Sequence, residues 1–496
     1  MAIYISHTLF ELNLVEQASP YATLVVRGIS ADSRKVVEGD LFIGRDGVAH
    51  RGIDYIAQAA EKGAIAAVVD ANTTTAAERE GHAIPVVAIP NLAYRVGLLA
   101  SQMLGEPSKK LTMIGVTGTN GKTSCAHYIA QSLALLGKKT AIIGTVGNGF
   151  PGALQPATHT TPDAVSLQLL LADFCDQGAK AVVMEVSSHA LDQGRVHGVA
   201  FDAVALTNLS RDHLDYHVTM QAYGEAKRRL FTEFADAVSV INLDDAFGNQ
   251  LAAELSNAAS QLLTYSQKVS ADIRMEEGDL SQQGIALAVN VRGQRIAFNT
   301  PVLGEFNIAN LLLTTGVLAA CGYSAASIES VMSQLSAVPG RMEYLSADGM
   351  PSAVVDYAHT PDALEKALLG ARRHCHGTLW VVFGCGGDRD TGKRAEMAAV
   401  AEQYADHIIV TSDNPRTENP TKIIDMIFAG FSAPIKALRA EDREQAIRAA
   451  LSEAKPDDLV VIAGKGHEDY QDICGVKYPF SDQQVVLKVY QEGVKE

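Results

Sequence analysis

The sequence predicts an α/β protein of about three domains, and three observations lead there. Short apolar runs alternate with stretches of helical periodicity from about residue 110 onward, the pattern of a mostly parallel sheet covered by helices. A glycine-rich loop joins one apolar run to the helix behind it. Polar clusters stand just beyond the ends of six apolar runs, where open α/β sheets bind their ligands. At 496 residues the chain is also too long for a single core.

Residues 1–107 read as a small N-terminal α/β domain, with strands at 64–70 and 84–89, a helix at 92–104, and Gly105-Glu-Pro-Ser as a linker. Residues 108–338 read as the central domain, with strands at 111–116, 140–144, 181–185, 203–206 and 238–242. The segments 286–291 and 294–298 form an appended hairpin. Val338-Pro-Gly340 breaks the pattern, and residues 339–496 read as a C-terminal Rossmann-like α/β domain with strands at 353–356, 378–383, 407–410 and 459–463. Hydrophobic residues at 47% and charged residues at 20% fit a globular protein. A net charge of −16 argues against non-specific nucleic-acid or membrane-surface binding, while leaving room for a local basic pocket. No apolar run is long enough to span a membrane, and the N-terminus lacks the basic start and apolar core of a signal peptide, so a cytoplasmic location is expected. Cysteines 125, 175, 321, 375, 385 and 474 include no C-x-x-C pair and are expected as free thiols.

The loop at 115–123, Gly-Val-Thr-Gly-Thr-Asn-Gly-Lys-Thr, lies between the strand at 111–116 and a helix at 124–136. Strand, glycines, Lys-Thr and helix together make a phosphate cradle, so the central sheet is expected to be like that of a P-loop ATPase. Backbone N–H groups face the anion, Lys122 reaches the outer phosphates, and the Thr123 hydroxyl can bind Mg²⁺. A strict G-x-x-x-x-G-K-[ST] would need glycine at 116, where valine stands, and a plain βα turn is the alternative.

Glu185 ends an apolar strand, and a buried carboxylate there calls for a metal or a basic partner; bonding to loop amides is the alternative. Asp212-His-Leu-Asp-Tyr-His217 crowds candidate ligands near the phosphate end, with His213 balanced between a ligand and a structural role. Lys227 reads as an ordinary lysine on a helix, and as an ammonium it cannot ligate a metal. Asn307 and Asn310, one turn apart, suit either a nucleotide or helix capping. Arg341 suits phosphate or an interdomain salt bridge. Asp413-Asn-Pro-Arg416 combines turn chemistry with an acid and a guanidinium, which make either a clamp for a zwitterion or a surface ion pair, and Arg389 and Glu468 could complete such a pocket.

These motifs, taken in order, resemble the Mur ligase family of ATP-dependent amide-forming enzymes of peptidoglycan assembly. The resemblance rests on Gly-Thr-Asn-Gly-Lys-Thr at 118–123, Glu-Val-Ser-Ser-His at 185–189, Asp-His-Leu-Asp at 212–215, Asn307 with Asn310, Pro-Gly-Arg at 339–341 and Asp-Tyr-Ala-His-Thr-Pro at 356–361, and it covers essentially the whole chain. It implies an ATP site of Gly118, Thr119, Asn120, Gly121, Lys122, Thr123, Ser124, Asn307, Asn310, Arg341 and Asp356. It implies Mg²⁺ held by Thr123, Glu185, His213 and a Lys227 that CO₂ has carbamylated into an anionic ligand. Lys122, Lys227, His213 and Arg341 are the expected catalytic set. The UDP-sugar would meet Asp32-Ser33-Arg34 and Val48-Ala49-His50, and the muramoyl-dipeptide would meet His159, Thr160, Thr161, Ser187, Gln193 and Arg195. His159 departs from the asparagine expected there.

Asp-Asn-Pro-Arg resembles the pattern of the member that adds meso-diaminopimelate, which implies a site of Arg389, Asp413, Asn414, Pro415, Arg416, Gly464 and Glu468. The implied substrates are UDP-MurNAc-L-Ala-D-Glu, meso-diaminopimelate and ATP, and the protein is expected to be a monomer with no nucleic-acid partner and no membrane span, its third domain closing over the second. A folylpolyglutamate-synthase type enzyme and a P-loop switch protein are the rivals; the full first domain and Asp-Asn-Pro-Arg argue against the former, and the missing Asn-Lys-x-Asp against the latter.

Overall fold

Near-continuous apolar runs mark strands covered on both faces. In the structure, a computed structural model, Ala181–Glu185, Ala203–Leu206, Leu379–Phe383 and Leu459–Ala463 are buried at every position. The structure describes residues 6–47, 50–157, 159–257, 261–281, 284–433 and 437–493. They divide into two units, one running to Tyr265 and taking in Gly316–Tyr323, the other made of Ser266–Thr315 and the chain from Ser324 onward.

The first unit holds a short antiparallel pair, His7–Thr8 with Val25–Val26, and two larger sheets. The smaller has four parallel strands in the order Gly28–Ser30, Asp40–Gly44, Ala66–Asp70, Val86–Ile89. Helix Leu92–Met103 lays Leu92, Val96, Leu99 and Met103 on it. The larger runs, in parallel, Thr140–Ile143, Ala181–Glu185, Thr112–Thr117, Ala203–Leu206, Val238–Asn242 and Leu262–Ser266. The hairpin Asn148–Phe150 and Ala153–Gln155 pairs antiparallel with its Thr140–Ile143 edge. The strand feeding the glycine loop therefore lies between two neighbours, with Val116 opposite Glu185 and Thr117 opposite Leu206. That order carries the loop against the ends of both.

The second unit has a six-stranded sheet in the order Glu343–Leu345, Ser352–Asp356, Leu459–Ala463, Leu379–Phe383, His407–Val410, Ala437–Arg439, parallel except at its first pair. Helices Pro361–Arg372 and Gly392–Tyr404 cover one face, and Arg443–Glu453 and Asp482–Gly493 the other. The expected hairpin at 286–298 is part of a three-stranded antiparallel set, Ile273–Ser281, Gly284–Val291, Gln294–Thr300. The first of these strands escapes an apolar reading because its exposed positions carry Glu276, Glu277 and Asp279. A small hairpin, Tyr470–Ile473 and Val476–Pro479, follows the six-stranded sheet's Leu459–Ala463 strand. No helix among the described residues is long and apolar enough to cross a membrane.

Candidate active site

The strand Thr112–Thr117 and helix Lys122–Leu135 enclose a loop bent at Gly118 (φ 144°) and Gly121 (φ 85°). A Cβ on Gly118 would stand 1.8 Å from Thr207 Oγ1, so only glycine allows the turn there. Val116 is buried inside the strand, which explains its departure from the strict spacing: the turn begins two residues later. The neighbouring strand end fastens the loop, with Thr119 N donating to Asn208 O (2.9 Å), Asn120 N to Asn208 Oδ1 (3.1 Å) and Thr207 Oγ1 to Asn120 O (2.6 Å). Lys122 Nζ rests on its own loop, donating to Gly118 O (2.9 Å) and Thr119 O (2.8 Å). Thr123 and Ser124 open the helix and are buried.

On the other side lies Glu185, 1% exposed. Thr123 Oγ1 donates to both its oxygens (3.1 and 3.0 Å), and Thr145 donates through N (2.8 Å) and Oγ1 (3.2 Å). A Cβ on Gly144 would sit 2.3 Å from Glu185 Oε1, so the residue beside this carboxylate must be bare. From Thr145 a polar chain runs outward. Its hydroxyl meets that of Thr160 (3.0 Å), and Thr161 Oγ1 donates to Glu185 O (2.8 Å) while accepting from Ser187 N (3.0 Å). Arg195 donates to Thr161 O (2.9 Å) and to Gln193 Oε1 (3.0 and 2.7 Å). Five of the six expected muramoyl-dipeptide residues thus belong to one network; His159 stands exposed on the adjoining loop.

Helix Met220–Thr232 presents Lys227, 1% exposed, to Gly118 O (2.8 Å) and the Tyr223 ring (4.5 Å). Burial, with Lys122 nearby, holds its amine well below the ordinary lysine range, and Asp212 offsets only part of this. His213, at φ 54° ahead of helix Leu214–His217, is depressed chiefly by burial, although Asp212 Oδ2 lies 3.5 Å away. Its ring packs edge-on against His189 (4.9 Å). Among the described residues no three His, Cys, Asp or Glu side chains gather tightly enough to hold a metal alone. The Thr123 hydroxyl and Glu185 carboxylate still fit magnesium, which prefers oxygens and completes its shell with water and phosphate. An amine whose pKa is lowered by burial gives up its proton more readily, which favours addition of CO₂ to the free base.

In the smaller sheet Ser33 is buried and donates to Gln58 Oε1 (2.6 Å), while Arg34 turns onto Asp32 (2.9 Å) and holds its carboxyl down at about 2. His50 is exposed beside Tyr55; Val48 and Ala49 lie outside the described residues.

In the second unit, Asn307 and Asn310 are buried at the start of helix Asn307–Ala320. Asn307 Nδ2 donates to Leu303 O (2.6 Å) and Asn310 Nδ2 to Asn307 Oδ1 (2.7 Å), so the pair braces the helix start as well as offering amides. The Arg341 guanidinium lies over the Tyr357 ring (4.4 Å), its buried Nε unpartnered. Asp356 accepts from Met342 N (2.7 Å) and Ala358 N (2.8 Å); burial raises its pKa against the pull of Arg341.

The loops after Leu379–Phe383, His407–Val410 and Leu459–Ala463 converge. Asp413 is buried; its Oδ1 accepts from Asn414 N (2.6 Å) and its Oδ2 has no partner. A Cβ on Gly464 would stand 2.5 Å from that Oδ2. Asn414 Nδ2 donates to Glu468 Oε2 (2.8 Å), and Arg416 Nη1 to Gly387 O (2.7 Å). Arg416 (φ 49°) is bridged to the Tyr470–Ile473 strand, its N donating to Asp472 O (3.0 Å). Pro415 is buried between them, whereas Arg389 is exposed, with Nη1 3.3 Å from Asp388 O. The structure thus brings Asp413, Asn414, Arg416, Gly464 and Glu468 together. Sequence reasoning missed Thr145, Lys465 and Gln471, which touch these sites. Each lies one or two residues from a strand end or a motif, and that proximity is the only signal the sequence carries.

Family models described as "Mur ligase family, catalytic domain", "Mur ligase middle domain" and "Mur ligase, glutamate ligase domain" match residues 25–105, 116–318 and 340–466. Proteins named UDP-N-acetylmuramoyl-L-alanyl-D-glutamate–2,6-diaminopimelate ligase from Chromobacterium violaceum and Pseudomonas aeruginosa are 48% and 47% identical, over 93% and 92% of this chain and 94% of each relative. A solved structure of a ligase with the same name is 37% identical with a TM-score of 0.75, covering 99% of this chain and 100% of its own.

Proposed function

The chain belongs to the Mur ligase family, and on that premise we propose that it is the ATP-dependent ligase adding meso-2,6-diaminopimelate to the D-glutamate of UDP-N-acetylmuramoyl-L-alanyl-D-glutamate, in peptidoglycan precursor synthesis. The observation that carries the choice of acceptor is the buried, unpartnered Asp413 Oδ2 on the same short loop as Arg416. An acid for an ammonium beside a guanidinium for a carboxylate suits the far end of diaminopimelate, which lysine lacks.

The terminal phosphoryl group of ATP passes to the free carboxylate of D-glutamate, giving ADP and an acyl phosphate. The neutral amine of diaminopimelate then attacks the acyl carbon, the tetrahedral adduct collapses, and inorganic phosphate leaves with the carbonyl restored. Two anions meeting at about 4 Å repel by ~4 kcal/mol at an intermediate dielectric. Lys122 would exchange its two loop carbonyls for phosphate oxygens to offset that, in a loop turned by Gly118 and Gly121. Thr123 and Glu185 would hold magnesium, which supplies further positive charge at the phosphates. Lys227 as a carbamate and His213 would add to that set; the support is the amine's burial, with no carboxylate in ion-pair range among the described residues and only a partial offset from Asp212. Asn307, Asn310, Arg341 and Asp356 would hold the nucleotide, with Tyr357 as a stacking surface for Arg341. The reading includes a cytoplasmic monomer with domain boundaries near 107 and 338, which the spans of the three family models support.

Phosphate release from ATP and UDP-muramoyl-dipeptide, with meso-diaminopimelate or L-lysine as acceptor, tests the proposal. Release that depends on diaminopimelate and is at least ~100-fold slower with lysine is expected from loss of a desolvated charged contact. Equal rates would remove the acceptor assignment.

A further inference from the structure

Lys465 is 0% exposed, and lysine is rarely so deeply buried unless paired. Its Nζ donates to Asn414 Oδ1 (3.0 Å) and to Glu468 Oε2 (3.0 Å), and Asn414 Nδ2 donates to the same Glu468 Oε2 (2.8 Å). Three side chains close a triangle. Asp472 N donates to Asn414 Oδ1 from outside it (2.9 Å), and Gln471 Nε2 to Asp413 O (2.7 Å).

The triangle has a directional consequence. The Asn414 oxygen faces two donors and its nitrogen faces a carboxylate, so the amide has one orientation. Glu468 spends Oε2 inside the triangle, which leaves Oε1 outside it. Asp413 leaves Oδ2 without a partner. Two carboxylates sharing one pocket repel each other, and the buried ammonium offsets that repulsion from behind.

We propose that Lys465 is a positioning residue for the acceptor amino acid: it balances the charge of the Asp413–Glu468 pocket and sets which oxygen of Glu468 and which edge of Asn414 meet the ammonium-carboxylate end of the incoming molecule. This rests on the reading of the pocket as the diaminopimelate site. Being fully covered, Lys465 itself touches no ligand and acts through Glu468 and Asn414.

The test uses the full-length enzyme and the variants Lys465→Met, Glu468→Gln and the pair together. Lys465→Met is expected to raise KM for diaminopimelate at least tenfold while leaving KM for ATP and for UDP-muramoyl-dipeptide within twofold. In the Glu468→Gln background the same change should raise it less than threefold further, because residues in one network do not add. A parallel rise in all three KM values, or full additivity of the pair, overturns the proposal. Lys465→Gln, which keeps a donor for Asn414 but no charge, repeats the KM test if the methionine variant does not fold. Failure of both to fold makes Lys465 a scaffold residue and also overturns it. Wild-type enzyme that uses lysine as well as diaminopimelate would instead overturn the acceptor assignment itself, whatever Lys465 does.

Discussion

Lys227 shows how burial changes the chemistry of a single side chain. On helix Met220–Thr232 it occupies a position that in the sequence reads as solvated, yet it is buried against Gly118 O and the Tyr223 ring. Burial lowers this amine's pKa and so eases loss of the proton that CO₂ addition requires. In ¹³C-bicarbonate the wild-type enzyme should therefore show a carbamate resonance that Lys227→Met lacks, and the variant should lose at least ~100-fold in ligation rate through the lost stabilisation of phosphoryl charge. No difference between the two spectra would leave Lys227 a plain amine. Periodicity alone did not single this lysine out, because a helix's exposed and buried faces are told apart by what packs on them. Glu185 was legible, since an acid closing the run Ala181-Val-Val-Met must be buried and must be satisfied.

At the scale of elements, strand ends carry the site and buried ion pairs pin them. Arg443 and Asp482 are each 0% exposed and joined by bonds of 2.7 and 2.8 Å. Arg443 Nη2 also donates to Ala463 O (2.9 Å), at the end of the strand that leads to Gly464. Arg443→Met leaves a buried carboxylate unpaired and should cost about 3–5 kcal/mol, while Arg443→Met with Asp482→Leu should cost clearly less. Urea denaturation of the three proteins checks this; equal losses in the single and double variants would show that the pair's charge is not what matters. The strands at 181–185, 203–206, 238–242, 407–410 and 459–463 were legible to the residue because they are mostly buried and apolar residues dominate each run. Ile273–Ser281, acidic on its outer face, was not.

Across the whole molecule, stability integrates such local shifts with pH. His467 is pushed down to about 4, first by burial and then by Arg341. Between pH 6.5 and 4 the unfolded chain takes up a proton there that the native protein refuses, so stability falls as pH falls through that window and the loss levels off below it. The contribution is bounded at about 3 kcal/mol. Replacing His467 by Gln should flatten the difference in unfolding free energy between pH 7 and pH 4, read by urea denaturation, by up to that amount; an unchanged difference would assign the pH dependence to other groups.

Local chemistry alone determined the α/β class and the phosphate loop, since glycines, Lys-Thr and apolar runs carry their meaning over a few residues, while the family followed from the resemblance of motifs in order along the whole chain. Strand order was decided only by the tertiary structure. Placing Thr112–Thr117 between Ala181–Glu185 and Ala203–Leu206 is what brings Thr123 within 3.1 Å of Glu185, and converging three strand ends is what buries Lys465 behind Asn414 and Glu468. The physical reason is that pairing between strands far apart in sequence is fixed by the burial of both faces together, and no local window of the chain contains both partners.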